Sequence, residues 1–189
     1  MIENKADLKR YLQSDFARYT KKPKIQDWIL HNEKWYIWQY IKALRYVEYY
    51  INTGRKRDFR YLLWWYRYKH LGFKLRYTIY PNTIDEGLAI YHTGDFIFIK
   101  EATKIGKNCT LRPGVVIGNK SGEDEWDMPV AVGDNVEFGL GVRVFGKLHI
   151  GNNVSIGANS VVTKDIVDNA VCAGLPAKVI RIKDIANKR

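Results

Sequence analysis

One histidine sits in a break of an otherwise regular count, and it is the residue of this 189-residue chain best suited to do chemistry. His92 lies in Tyr91-His92-Thr93-Gly94-Asp95, and imidazole is the side chain whose ordinary pKa suits proton transfer near neutral pH. Asp95 adds a carboxylate in the same corner, able to orient a ring or to bind a polar ligand. A second break, the Gly- and Pro-punctuated polar stretch from Asn119 to Pro129, brings Trp126 and Asp127. An aromatic face and a carboxylate are suited to a hydroxyl-rich ligand. His31, His70 and His149 fall in no comparable place. Cys109 and Cys172 stand far apart in no metal-ligand spacing, so no metal is expected.

What must position these residues is a count of six. Val132, Phe138, Val144, Ile150, Ile156 and Val162 fall six apart, and Gly133, Gly139, Gly151 and Gly157 follow four of them directly. An earlier run on the same period reads Ile99, Ile105, Leu111 and Ile117. Six is neither the 3.6 of a helix nor the 2.0 of a strand. It is the hexapeptide period of a parallel β-helix, whose coils have three flat faces with one aliphatic side chain per face turned inward. Such a residue cannot bury itself alone, so stacked coils share one core. Cys109, two before Leu111, reads as a small core residue. Ile84 to Ile90 is six but Ile90 to Ile99 is nine, so three extra residues bulge out at His92. Ile117 to Val132 is fifteen, so the second loop is extruded as well. On a rigid scaffold such departures are where function sits.

The first 76 residues differ from the rest. They hold 18 Lys and Arg against 7 Asp and Glu, five of the six Trp and ten of the thirteen Tyr, whereas residues 77 to 189 hold 13 charges of each sign. We therefore divide the chain into a basic, aromatic α-helical domain over 1–76 and a β-helix with a C-terminal cap over 77–189. Leu8, Tyr11, Leu12 and Phe16 keep one face of a first helix. Trp28, Ile29, Trp35, Trp38, Ile41, Leu44 and Val47 approximate a second, and Phe59, Leu62, Leu63 and Tyr66 a third. Lys22-Pro23 and Asn52-Thr53-Gly54 are the expected breaks. These helices either pack on one another and across an oligomer interface, or offer a basic aromatic surface to a sugar-rich or acidic partner, anionic lipid included. No nucleic-acid motif accompanies the charge, so no nucleic-acid partner is expected. With no apolar run of about eighteen residues and no signal-peptide pattern, the chain reads as soluble and cytoplasmic, with peripheral membrane contact left open.

From about Ile79 to Arg181 the sequence resembles the hexapeptide-repeat acyltransferases, and within them the serine acetyltransferases and the capsule or surface-polysaccharide O-acetyltransferases. The resemblance rests on Gly87-Leu-Ala-Ile-Tyr-His92, Ile105-Gly-Lys-Asn-Cys-Thr-Leu111, Ile156-Gly-Ala-Asn-Ser-Val-Val-Thr-Lys-Asp165 and Ala173-Gly-Leu-Pro-Ala-Lys178. It implies a left-handed β-helix, a homotrimer that could pair through the helices into a hexamer, and acetyl-CoA lying between neighbouring subunits. It also implies His92 as the base that deprotonates a hydroxyl attacking the thioester. Backbone N–H groups at a coil turn would hold the oxyanion, with Gly118 a candidate. Gly139, Gly141, Gly157 and Ala158 would let the cofactor arm lie against the coil, and Lys178 would meet a phosphate.

Three positions depart from the serine enzymes. The Asp those enzymes carry fifteen residues before the base is Tyr77 here, so an orienting group has to come from elsewhere, Asp95 or a backbone carbonyl. Their Arg-His before the loop proline is Asp127-Met128, and an Asp would repel the carboxylate of serine. The expected activity is therefore an acetyl-CoA-dependent O-acetyltransferase acting on a sugar or a surface-polysaccharide precursor, with Asp95, Trp126 and Asp127 binding the acceptor. Serine O-acetyltransferase is the alternative.

Overall fold

The computed structural model describes residues 1–118 and 130–184. Four helices come first: α1 (Lys5–Ala17), α2 (Ile25–Ile29), α3 (Glu33–Asn52) and α4 (Phe59–Leu75). Their starts follow from capping side chains. Asn4, Asn32 and Asp58 accept the N–H of Asp7, Lys34 and Arg60 at 3.0, 3.2 and 2.9 Å. α4 stops at Arg76, whose φ of 62° is left-handed.

Where the sequence suggested three helices there are four. His31 (φ 53°) and the Asn32 cap interrupt the second pattern, so Trp28 and Ile29 fall on the separate α2 and are exposed. The expected stripe of α4 also faces the other way. Tyr68, Leu71 and Leu75 are its buried side, while Phe59, Leu62, Leu63 and Tyr66 face outward. α4 is apolar on two sides, and packing against α3 chose between them.

The rest is the expected parallel β-helix. Its first face is a five-stranded parallel sheet of β1 (Tyr77–Ile79), β3 (Ile97–Ile99), β6 (Val116–Gly118), β9 (Arg143–Phe145) and β12 (Val161–Val162). On the second face lie β4 (Lys104–Ile105), β7 (Val130–Val132) and β10 (Leu148–Ile150), extended by single bridges at Ile84 and Ile166. The third stacks β2 (Ala89–Ile90), β5 (Thr110–Leu111), β8 (Glu137–Phe138), β11 (Ser155–Ile156) and β13 (Ala170–Gly174), and β14 (Ala177–Ile182) folds back antiparallel on β13. Every residue of the two six-counts is buried. Between the second and third faces Asn108, Asn135, Asn153 and Asn169 sit one above another at φ 58° to 62°. Each of the first three donates its amide to the next at 2.9–3.1 Å. Asn tolerates this backbone region at small cost and satisfies its neighbour while doing so.

An open solenoid end would leave a rung of unpaired backbone groups, and here side chains of the helices meet them. Tyr40 accepts the N–H of Ile79 and Tyr68 donates to its carbonyl, at 3.2 and 2.7 Å. Glu48 accepts the N–H of Asn82, and Asp15 those of Gly87 and Leu88, all at 2.8 Å. Arg45, fully buried, makes five hydrogen bonds: two to Asp15, one to Glu48, and one each to the carbonyls of Ile84 and Asp85. That matches the five donors of a guanidinium. Burial opposes the charge of Arg45, but Asp15 and Glu48 outweigh it and hold the proton on. The apolar core accordingly runs without interruption from Tyr19 and Tyr40 of the helical part to Cys172. Arg45→Ala strips the partner from two buried carboxyl groups, so it is expected to lower the unfolding free energy by about 3–5 kcal/mol in denaturant titrations. A loss below about 1 kcal/mol would show that the helices do not depend on this contact.

Candidate active site

The candidate residues gather along one edge of the prism, where the third face of each rung turns into the first face of the next. His92 stands at the first such turn, between β2 and β3. Below it come Pro113-Gly114 between β5 and β6, then Gly139-Leu140-Gly141 between β8 and β9, then Gly157-Ala158-Asn159 between β11 and β12. Hydrogen bonds join successive turns: Gly114 N–H to Phe96 at 3.1 Å, Gly141 N–H to Pro113 at 2.9 Å and Asn159 N–H to Leu140 at 2.7 Å. With rungs about 4.8 Å apart, His92 and Ala158 are separated by about 14 Å along this edge. Lys178, exposed on β14 opposite Ala173, lies in the hairpin beyond its far end.

Three glycines on this edge have a steric reason to be glycine. A Cβ on Gly139 would come 2.7 Å from the Ile156 carbonyl, and one on Gly157 would come 2.8 Å from Ala173. Gly141 has a φ of 67°. The result is a strip with no protruding side chain at Gly139, Gly141, Gly157 or Ala158. Gly118 lies elsewhere, at the end of β6 on the turn from the first face to the second, where a Cβ would meet open space. Trp126, Asp127 and Met128 lie outside the described residues.

His92 is held by a partner that its sequence neighbourhood does not supply. Its φ of 67° turns the ring outward, and its side chain is 73% exposed. Nδ1 lies 2.9 Å from Oε1 of Glu33, the first residue of α3. The other oxygen of Glu33 accepts the N–H of Thr93 at 2.9 Å and its hydroxyl at 3.1 Å. Partial burial pushes the Glu33 carboxyl up, but Thr93 and His92 together outweigh it and hold the carboxyl below its ordinary value. An ionised Glu33 is acceptor-only, so Nδ1–H donates to it and the lone pair of the neutral ring lies on Nε2. Asp95 is exposed and accepts the N–H of its neighbour Phe96 at 2.7 Å. Tyr77, buried at the place of the missing Asp, donates instead to the backbone carbonyl of His92 at 2.7 Å. Glu33 is the residue of this candidate site that reading the sequence missed. It is 59 residues from His92, and next to Asn32 it reads only as the start of a helix. Among the described residues no group of His, Cys, Asp and Glu could hold a metal ion. The two thiols are buried, which pushes Cys172 up to about 11 and Cys109 higher still.

A parallel β-helix counted in sixes, with a histidine at a turn of its first rung, resembles the hexapeptide-repeat acyltransferases. Relatives bear out that class. The chain is 34% identical over 103 residues to the serine acetyltransferase of Synechococcus elongatus, a match covering 54% of this chain and 41% of the relative. It is also 34% identical over 116 residues to the galactoside O-acetyltransferase of Escherichia coli, covering 56% of this chain and 57% of that one. The chain thus spans about half the length of the curated relatives it matches. No protein-family model matches it. Among solved structures, soybean serine acetyltransferase superposes with a TM-score of 0.73 over 93% of this chain and 69% of that chain, at 23% identity, which speaks for the fold.

The Glu33 contact has a readout that needs no substrate. A carboxylate accepting from Nδ1–H holds the neutral ring in that tautomer. In Glu33→Ala the preference of the neutral His92 ring for the Nδ1–H tautomer, followed by its ¹⁵N NMR shifts, is expected to weaken. An unchanged tautomer ratio would remove Glu33 from the site.

Proposed function

We propose that the chain is an acetyl-CoA-dependent O-acetyltransferase in which His92 is the general base. The observation that carries this reading is the exposed ring of His92, held by Glu33 through Nδ1, on the same edge as Gly139, Gly141, Gly157 and Ala158. A hydroxyl placed at Nε2 loses its proton to the ring as its oxygen attacks the thioester carbonyl, and the ring then returns the proton to the departing thiolate. Glu33 holds the tautomer and stabilises the imidazolium between the two steps. Gly139, Gly141, Gly157 and Ala158 offer the cofactor arm a surface without side chains to displace, and Lys178 offers a cation to a phosphate. Backbone N–H groups of a turn would hold the oxyanion; Gly118, on a different edge from His92, would reach it only from a neighbouring subunit. Flat faces of small and aliphatic residues favour closure as a trimer, or a multiple of it, with the edge lying between subunits.

Serine is the acceptor that the relatives favour, since the serine acetyltransferases of Synechococcus elongatus and of Staphylococcus aureus match at 34% and 35% identity. Glu33 supplies the orienting carboxylate that Tyr77 does not, and that removes half of the sequence argument against serine. The second reading, a sugar hydroxyl, keeps two supports: the galactoside O-acetyltransferase match and the Asp127-Met128 pair where an Arg-His would meet an amino-acid carboxylate. Asp95, Trp126 and Asp127 would be its acceptor contacts.

Thiol release from acetyl-CoA is the test. His92→Ala is expected to lower turnover by roughly 10²- to 10⁴-fold with folding intact, and near-normal turnover would exclude the base. The kcat/KM for L-serine, set against a panel of sugars and nucleotide sugars, decides the acceptor. A value for serine at or above about 10⁴ M⁻¹s⁻¹ and above every sugar establishes serine, and the reverse order establishes a sugar. Light scattering should give a mass that is a multiple of three chains; an active monomer would exclude the edge as a site between subunits.

A further inference from the structure

α4 carries a second apolar stripe that none of the described residues covers. Phe59, Leu62, Leu63, Tyr66 and Phe73 are 62–89% exposed, and their spacing puts them on one face of the helix. That face lies opposite the buried stripe of Tyr68, Leu71 and Leu75. At 100° per residue, cations border the exposed stripe on both sides: Arg60, Arg67 and Lys74 along one flank, Lys69 and Arg76 along the other. From Arg55 to Arg76 there are eight Lys and Arg against the single Asp58. The patch continues onto α2, because Trp28 lines the same groove as Leu63 and Tyr66, and Ile29 and Leu30 beside it are 64% and 75% exposed.

We propose that this face binds the surface of an anionic phospholipid bilayer, with the apolar stripe entering the headgroup boundary and the flanking cations meeting lipid phosphates. Large apolar and aromatic side chains between rows of Lys and Arg are what an interfacial helix presents to such a surface. Charge decides against the obvious alternative. A two-fold pairing of this face with a second copy would set the five flanking cations of one copy against the five of the other, row facing row. No helix among the described residues is long and apolar enough to cross a membrane, so the contact is one of lying on the bilayer. The proposal stands apart from the acetyl-transfer reading, but the two meet in space, since Leu30 precedes Glu33 by three residues and Glu33 holds His92.

The experiment is co-sedimentation of the full chain with vesicles of phosphatidylcholine alone and of phosphatidylcholine mixed with phosphatidylglycerol. Binding to the anionic vesicles is expected to be at least about tenfold stronger than to the neutral ones and to weaken as salt is raised. Leu62→Gln/Leu63→Gln should lower it by about tenfold or more, with circular dichroism and oligomeric mass unchanged. Lys69→Gln/Lys74→Gln should lower it at low salt and leave it nearly unchanged at high salt. Equal partition into both vesicle types would overturn the proposal, as would unaltered binding of the leucine variant. A smaller oligomer in the leucine variant would overturn it in favour of a second copy as the occupant.

Discussion

The first rung of the β-helix is the constraint on which the rest depends. A stacked sheet hands each rung's backbone groups to the next, so the interior rungs satisfy one another and the first one has no upstream partner. The helices supply that partner as side chains rather than as another strand: Tyr40 and Tyr68 on Ile79, Glu48 on Asn82, Arg45 on Ile84 and Asp85, and Asp15 on Gly87 and Leu88. Most of these groups are buried, where an unmet donor or acceptor costs about 1–3 kcal/mol each. Helical cap and solenoid therefore form one folding problem. The buried Arg45 with its two carboxyl partners is specific enough to set the angle at which α1 and α3 meet the rung.

Glu33 extends the same arrangement by one more step. It meets the N–H of Thr93, just past the end of the first rung, as Asp15 meets those of Gly87 and Leu88, and its second oxygen is thereby brought to His92. The contact that finishes the cap is also the one that orients the candidate base. A chain with Tyr77 in place of an aspartate fifteen residues before the histidine keeps a carboxylate on the ring by drawing it from the helical part.

The edge below His92 shows how far packing and binding can coincide. Gly139 and Gly157 are glycine because the next rung leaves no room for a Cβ, and Gly141 because its backbone is left-handed. Those structural demands leave no side chain at Gly139, Gly141 and Gly157, with the exposed Leu140 between the first two, on the same edge as the candidate base. The opposite demand operates on α4, where one apolar stripe is buried on α3 and the other is left outside between rows of cations.

The period of six determined the solenoid, its inward residues from Ile84 to Val162 and the bulge that carries His92, because each hexad is a local repeat whose buried position is fixed by spacing alone. The basic, aromatic character of the first 76 residues and their helical nature were legible for the same reason. Which side of α4 faces in was not, since both sides are apolar and only the fit to α3 distinguishes them. Glu33 could not be paired with His92, nor Arg45 with Asp15 and the carbonyls of the first rung, from any spacing. Those contacts join segments 30 to 59 residues apart. Only the docking of helices on the end of the solenoid, a tertiary event governed by unmet backbone groups, brings them together.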